Sequence, residues 1–252
     1  MLFANLRPIY GMDKLKRVMF FLRELFFQAG CAVCGQPCTS LDEAWYGLCD
    51  DCRGRIEQYI AETQVLESCE YCGKPLISEQ GRCLSCRRTE PEGFDRAIVL
   101  FPYSGKYRKL LSSYKFDKHI SLGHFFVEII RKALVKKGLP VETAIVPVPS
   151  RPGKIRNVGW DQVEYLARLL EKGRVLPVNR CLKRLRSKSQ KELDRKNRQT
   201  NLKGRIIPKK QSPETAIIID DVITTGSTLE ACAHTLKESG AQTVYGLCLF
   251  YD

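Results

Sequence analysis

No apolar run in this chain approaches the ~20 residues that a membrane-spanning helix needs. An export signal is not expected either. In the one candidate, Lys14–Gln28, the apolar run Val18–Leu22 is broken by Arg23 and Glu24, and no small-residue cleavage site follows. Residues 1–30 read instead as an amphipathic helix that packs on the body or on a partner, with membrane-surface contact the remaining option. A disulfide framework is also lacking. Of twelve cysteines, eight fall into four Cys-x-x-Cys pairs, all before residue 87. That spacing suits metal knuckles, and with no export signal the expected compartment is a reducing cytoplasm. Cys181, Cys232 and Cys248 sit in apolar or helical contexts and read as small buried residues. Acidic residues are scarce, 28 against 41 Lys and Arg, for a formal net charge of +13. The shortfall is local: between Arg180 and Lys210, thirteen Lys and Arg face only Glu192 and Asp194. Solubility alone would not concentrate charge in this way.

What is present divides the 252 residues, an ordinary 44% of them hydrophobic, into a small module and a larger one. Residues 31–88 hold Cys31-x2-Cys34, fourteen residues, then Cys49-x2-Cys52, followed by Cys69-x2-Cys72, ten residues, then Cys83-x2-Cys86. Each half is a four-thiolate set with zinc-ribbon spacing. Gly35 and Gly73 follow the second cysteine of their knuckles, where a turn must wrap a metal and aim N–H groups at sulfur. Four thiolates complete a tetrahedral shell, so two structural zincs are expected, with no open position for catalysis. Cys38 is a spare thiol, either a replacement for Cys34 or a loop residue. Redox-active pairs fit poorly, because no thioredoxin-like strand-to-helix context surrounds them.

From residue 94 to 252 strands alternate with helices. The expected strands are Ala97–Tyr103, Ala144–Val148, Arg174–Val178, Thr215–Ile219 and Thr243–Phe250. The expected helices are Gly105–Tyr114, Leu122–Lys137, Gly159–Lys172 and Leu229–Ser239, and Lys183–Lys203 is a long basic polar stretch. That order predicts an α/β domain, a parallel sheet flanked by helices. A basic loop longer than ~15 residues inside such a domain is usually functional or mobile.

The richest stretch runs from Ile217 to Thr228. Three isoleucines predict a strand covered on both faces, ending where α/β sheets bind ligands. Asp220 and Asp221 follow, then Thr224, Thr225, Gly226, Ser227 and Thr228 at the start of a helix. Hydroxyls, a permissive glycine and free N–H groups make a phosphate cradle. Carboxylates repel phosphate, so the two acids are placed to hold hydroxyls or a hydrated Mg²⁺. The implied ligand is a sugar phosphate with vicinal hydroxyls. After the strand ending at Val148, Arg151, Lys154 and Arg156 surround a proline-stiffened turn, either facing a second anionic group or forming a basic surface loop. Asp161 or Gln162 is available to cap the next helix.

The string Ile217–Thr228 resembles the phosphoribosyl-pyrophosphate (PRPP) loop of the type I phosphoribosyltransferases. That resemblance implies that Asp220 and Asp221 bind the ribose hydroxyls and the turn Thr224–Thr228 wraps the 5-phosphate. Arg151, Lys154 and Arg156 would then meet the pyrophosphate, with Mg²⁺ accompanying PRPP. Together with the cysteine module, the chain resembles the ComF family of competence proteins, which join a double zinc ribbon to a phosphoribosyltransferase domain. Gly159-Trp160-Asp161-Gln162 matches that family's Gly-aromatic-Asn-Gln pattern, with Asp in the Asn place. Gln190, Leu193, Arg198, Asn201, Leu202 and Gly204 match its downstream pattern, and Lys115-Phe116 its early Lys-Phe pair. Leu182–Asn201 would be the counterpart of the catalytic loop that closes over PRPP, with Lys188, Lys191, Arg195 and Arg198 stabilising the leaving pyrophosphate.

Two readings of function follow. The preferred one is a cytoplasmic DNA-uptake factor of natural transformation that binds PRPP and single-stranded DNA, with Lys183, Arg184, Arg186, Lys191, Lys196 and Arg198 as nucleic-acid candidates. The ribbons would dock DNA or a helicase-like ATPase. The alternative is a catalytic transferase of ribose 5-phosphate onto an unknown acceptor, with Asp220, Asp221, Lys188 and Arg195 in catalytic roles. The sequence shows no base-binding hood after Thr243–Phe250, and Trp45, Tyr46 and Tyr71 serve equally as ribbon core. A PRPP sensor is a third option.

Overall fold

A computed structural model describes residues 30–63, 66–88, 93–137, 142–185 and 204–252. The expected N-terminal helix and most of the basic stretch, including Arg186, Lys188, Gln190, Lys191, Leu193, Arg195, Lys196, Arg198, Asn201 and Leu202, lie outside the described residues.

The centre is a four-stranded sheet in the order β1 (Arg96–Pro102), β6 (Thr243–Tyr251), β5 (Thr215–Ile223) and β2 (Thr143–Pro147). All neighbouring pairs are parallel, as expected for an α/β fold. Parallel strands must be covered on both faces, and β5 shows it: Ala216, Ile217, Ile218 and Ile219 are all buried. Alternation divides them. Ile217 and Ile219 join one core with α4 (Gly105–Lys115), α5 (Leu122–Lys137) and α7 (Gln162–Lys172). Ala216 and Ile218 join a second core under α8 (Ser227–Glu238). Each helix reaches its core through residues three or four apart, such as Leu229, Cys232, Ala233 and Leu236 on α8.

Several boundaries differ from the sequence expectation. The ligand strand runs four residues past Ile219, because β6 pairs with it to Ile223 while β2 stops at Pro147, opposite Ile219. The helix expected over 159–172 is α7, which starts at Gln162, and a short helix not expected from the sequence, α6 (Lys154–Val158), precedes it. Gly159 ends α6 in a left-handed conformation, and the Asp161 carboxylate caps α7 by accepting from the N–H groups of Val163 and Glu164. The strand expected over 174–178 is one parallel bridge from Val178 to Ile145, since Pro177 has no N–H to extend a ladder. The flanks of the basic stretch form an antiparallel ribbon, β3 (Leu182–Arg184) with β4 (Ile206–Pro208). This ribbon is tied to α8 by the Thr235 hydroxyl donating to the Ile206 carbonyl.

Both cysteine modules pack on the sheet domain. In the first, α1 (Leu41–Tyr46) opens with a Ser40–Glu43 capping box, and Trp45 stacks on His124 of α5 with centroids 3.8 Å apart. From it α2 (Asp50–Thr63) runs back over the core, which Ile56 and Ile60 enter. The second module, with α3 (Leu84–Arg88), rests on the edge of β1: the Ala97 N–H donates to the Tyr71 carbonyl at 2.6 Å. Gly73 is required there, because a Cβ would collide with the Ala97 carbonyl oxygen. Tyr71 stacks on Phe94 at 4.2 Å, and Tyr46 meets Phe125 edge-on. Trp45, Tyr46 and Tyr71 therefore all have partners in the body of the protein.

Candidate functional site

Two thiolate quartets stand ready for metal. Cys31, Cys34, Cys49 and Cys52 have their sulfurs within 4.8 Å of one another, as do Cys69, Cys72, Cys83 and Cys86. A tetrahedral zinc with Zn–S bonds of ~2.3 Å sets its sulfurs ~3.8 Å apart. Cys34 to Cys49 and Cys72 to Cys83 are both 3.7 Å. The quartets thus fit zinc. Burial works against the Cys31 and Cys69 thiolates, but N–H groups aimed at each sulfur outweigh it and bring both thiols down to about 7. The donors are Cys34, Cys49 and Val33 for Cys31, and Cys83, Cys72 and Tyr71 for Cys69. Cys38 is buried outside both quartets, so Cys34 keeps its place as the second ligand of its knuckle.

The second site follows from topology. β2 leads into α7 on one face, and β5 leads into α8 on the other, yet the two strands are neighbours. Adjacent strands whose connections leave on opposite faces open a crevice at their carboxyl ends. Asp220, Asp221 and the turn Thr224–Gly226 sit at that edge, and the loop carrying Arg151 leaves β2 beside it.

The two acids are not equivalent. Asp221 continues the odd-numbered face of β5, toward α4 and α7, and its Oδ2 accepts from Lys115 Nζ and Gln162 Nε2, each at 2.6 Å. Burial opposes its charge, but Lys115 and these hydrogen bonds prevail and hold its carboxyl below the usual carboxylate range. Asp220 lies on the α8 side, opposite Cys248 of β6, and its Oδ1 accepts the Asp221 N–H at 2.8 Å. Burial, then the Asp221 charge, pushes its carboxyl well above the usual range. The two carboxyls are thus pushed in opposite directions, and Asp221 is matched by an ammonium.

At the turn, Gly226 adopts φ 79° and offers no side-chain cap, and the Ser227 N–H that opens α8 donates to Thr225 Oγ1 at 3.5 Å. Thr225 Oγ1 and Ser227 Oγ are 2.8 Å apart, and Thr224 and Thr225 are exposed. A concavity of about 30 Å³ is lined by Asp220 and residues 222–229.

Of the other expected site residues, Arg151 and Arg156 are exposed. Lys154 is held inside the protein, its Nζ donating to Asp161 Oδ2 at 2.9 Å and Gln162 Oε1 at 2.7 Å. Lys183 is exposed on β3, whereas Arg184 is half-buried. Burial, then the Arg151 guanidinium, lowers the pKa of Arg184, and Asp220 acts in the opposite direction. Arg184, at the start of the basic stretch, thus lies within electrostatic reach of Arg151 and Asp220. Sequence reasoning missed the roles of Lys115 and Gln162. Lys115 was visible only as half of the Lys-Phe pair, 106 positions from the carboxylate it neutralises.

No protein-family model matches the chain. Among curated proteins it is similar to Competence protein F of Haemophilus influenzae, 27% identical over 229 residues, 87% of this chain and 95% of that protein. It is 26% identical to the DNA utilization protein YhgH of Salmonella typhi over 231 residues, again 87% and 95% of the two chains. With Competence protein ComFC of Streptococcus pneumoniae it shares 30% identity over 209 residues, 78% of this chain and 84% of that one. Such identity along most of both chains, over a sheet carrying the acid-and-hydroxyl turn and two cysteine quartets, places this protein in the ComF family of competence proteins.

Proposed function

We propose that this protein binds Mg²⁺-PRPP in the crevice between β5 and β2 and handles single-stranded DNA during DNA uptake in natural transformation. The observation that carries the PRPP reading is the acid pair joined to an uncapped, hydroxyl-rich helix start at the one edge where the sheet topology opens a crevice. In this reading Asp220 and Asp221 hold the ribose hydroxyls and the hydrated Mg²⁺. Residues Thr224–Thr228 wrap the 5-phosphate, and Arg151 and Arg156 face the pyrophosphate. Lys154 serves the site by anchoring Asp161 and Gln162. The basic hairpin supplies Lys188 and Arg195 for closure, and Lys183, Arg184, Arg186, Lys191, Lys196 and Arg198 for a nucleic-acid backbone. The relatives' names, competence protein and DNA utilization protein, support the DNA role. Two structural zincs hold residues 31–88, and residues 94–252 form the PRPP-binding domain. The compartment is the cytoplasm; among the described residues no helix is long and apolar enough to cross a membrane. A helicase-like ATPase is the protein partner.

A second reading, ribose 5-phosphate transfer to an acceptor, is favoured by the unlike surroundings of the two acids, Asp221 against Lys115 and Gln162 and Asp220 on the α8 side. Calorimetric titration with Mg²⁺-PRPP tests the primary reading. Wild type should bind, and Asp220→Asn should lose at least tenfold in affinity while keeping its melting temperature. Wild-type silence refutes PRPP binding. Pyrophosphate release with a candidate acceptor would move the conclusion to the transferase.

A further inference from the structure

Beside the crevice lies a rim that neither the acid pair nor the hydroxyl turn uses. It is made of the loop 116–120 and α6. Phe116 follows Lys115 directly, and its side chain is 67% exposed, the one aromatic ring among the exposed large hydrophobic residues described. Ile120 on the same loop, and Ile155 and Val158 one turn apart on α6, are exposed as well. Two observations put loop and helix around the same carboxylate. Lys115 Nζ is 2.6 Å from Asp221 Oδ2 and 6.0 Å from the Phe116 ring centroid. Lys118 adopts φ 55°, a left-handed conformation that a lysine rarely takes, and its Nζ lies 3.4 Å from where a Cβ on Gly159 would stand, at the end of α6. Gln162 then links α7 to Asp221, and Lys154 links α6 to Gln162.

Scattered exposed apolar side chains need no explanation, but this group is interleaved with charge of one sign. Lys118, Arg151 and Arg156 have no carboxylate partner among the described residues, and Asp117 is the one exposed acid of the loop. A protein partner would meet this rim with acidic side chains. A ligand that offers flat apolar faces and regularly spaced negative charge matches both features at once. Single-stranded nucleic acid is that ligand: its backbone follows cations, and its bases stack on exposed aromatic rings regardless of sequence.

We propose that single-stranded DNA crosses the mouth of the crevice along this rim, with one base stacked on Phe116 and a flanking phosphate on Lys118, beside the Arg151 and Arg156 that face the pyrophosphate. The proposal rests on the DNA-handling reading above and gives it a place at the ligand edge of the sheet, outside the basic hairpin. A strand so placed runs past the ligand of Asp220 and Asp221, so the two occupants would sense each other.

The test is fluorescence anisotropy of a fluorescein-labelled 20-residue oligodeoxythymidylate and of an abasic strand of equal length, with Mg²⁺-PRPP calorimetry on the same samples. Phe116→Ala should weaken the oligodeoxythymidylate about tenfold, leave the abasic strand unchanged and leave Mg²⁺-PRPP affinity unchanged. Phe116→Trp should restore binding and show quenching on oligodeoxythymidylate addition beyond that of wild type. Equal binding of oligodeoxythymidylate by wild type and Phe116→Ala overturns the proposal, as does equal weakening of both strands. If Phe116→Ala loses free adenine but keeps the oligonucleotide, the rim is an acceptor pocket and the proposal fails. Wild type that binds Mg²⁺-PRPP but no oligonucleotide refutes the rim and leaves the PRPP reading standing; the reverse pattern refutes the PRPP reading alone.

Discussion

Replacing Lys115 with Met removes the ammonium that keeps Asp221 ionised. Breaking a fully buried ion pair on one side costs ~3–5 kcal/mol, whereas an exposed pair is worth ~0–1 kcal/mol. The Lys115 and Asp221 side chains are 32% and 11% exposed. The acid end is therefore nearly buried while the ammonium end is partly screened, and the expected loss at pH 7 is about 2 kcal/mol. The pH dependence carries more information. With its folded pKa below the unfolded value, wild-type Asp221 contributes stability that is complete above the unfolded pKa, ~3.9, and disappears as pH falls through the folded pKa. In Lys115→Met, burial remains while the Lys115 charge and its hydrogen bond are gone, so the folded pKa rises and the contribution of Asp221 shrinks. The difference between the two proteins should thus be small below the wild-type folded pKa and widen as pH rises through it toward pH 7. Urea unfolding across that range measures it, and Lys115→Arg should recover most of the loss. A difference below about 0.5 kcal/mol, or one independent of pH, would refute the assignment of Lys115 as the partner that sets the charge of Asp221.

Metal analysis should find two zincs per chain. Cys69→Ser should retain one and lose the order of the second module, because structural zinc supplies ~10–16 kcal/mol to modules of this size; Cys38→Ser should keep two. Glu43, whose carboxylate accepts from the N–H groups of Asp50, Thr39 and Ser40, is held down to about 2, with the Asp50 bond the main cause. Its contribution is present above ~pH 4.5 and lost as pH falls toward 2. Glu43→Gln should cost ~1–3 kcal/mol at pH 7 and almost nothing at pH 2, read from thermal unfolding at the two pH values.

The chemistry-bearing segments were legible because each is local. A quartet of cysteines at knuckle spacing, and three isoleucines leading into two acids and a hydroxyl turn, specify geometry within a span of 12 to 22 residues. Strand ends were less so. Ile219 was the expected end of β5, and the last four residues became strand because β6 pairs with them, a partner that sequence periodicity does not reveal. The short helix α6 was missed because none of its five residues is buried, which leaves no apolar pattern to read. The ribbon β3–β4 was hidden in a stretch whose polar composition argues against strands, and is held by Thr235 of a distant helix.

The sequence by itself determined two cysteine quartets at metal spacing, an α/β class and an acid-and-hydroxyl turn at a strand end. Only the tertiary structure decided what each acid does. Neighbouring strand residues face opposite sides of a sheet, so Asp221 went to Lys115 and Gln162 while Asp220 went to the α8 side. A one-dimensional pattern records that two carboxylates are adjacent. Which charge compensates which carboxylate depends on helices brought to either face from far along the chain.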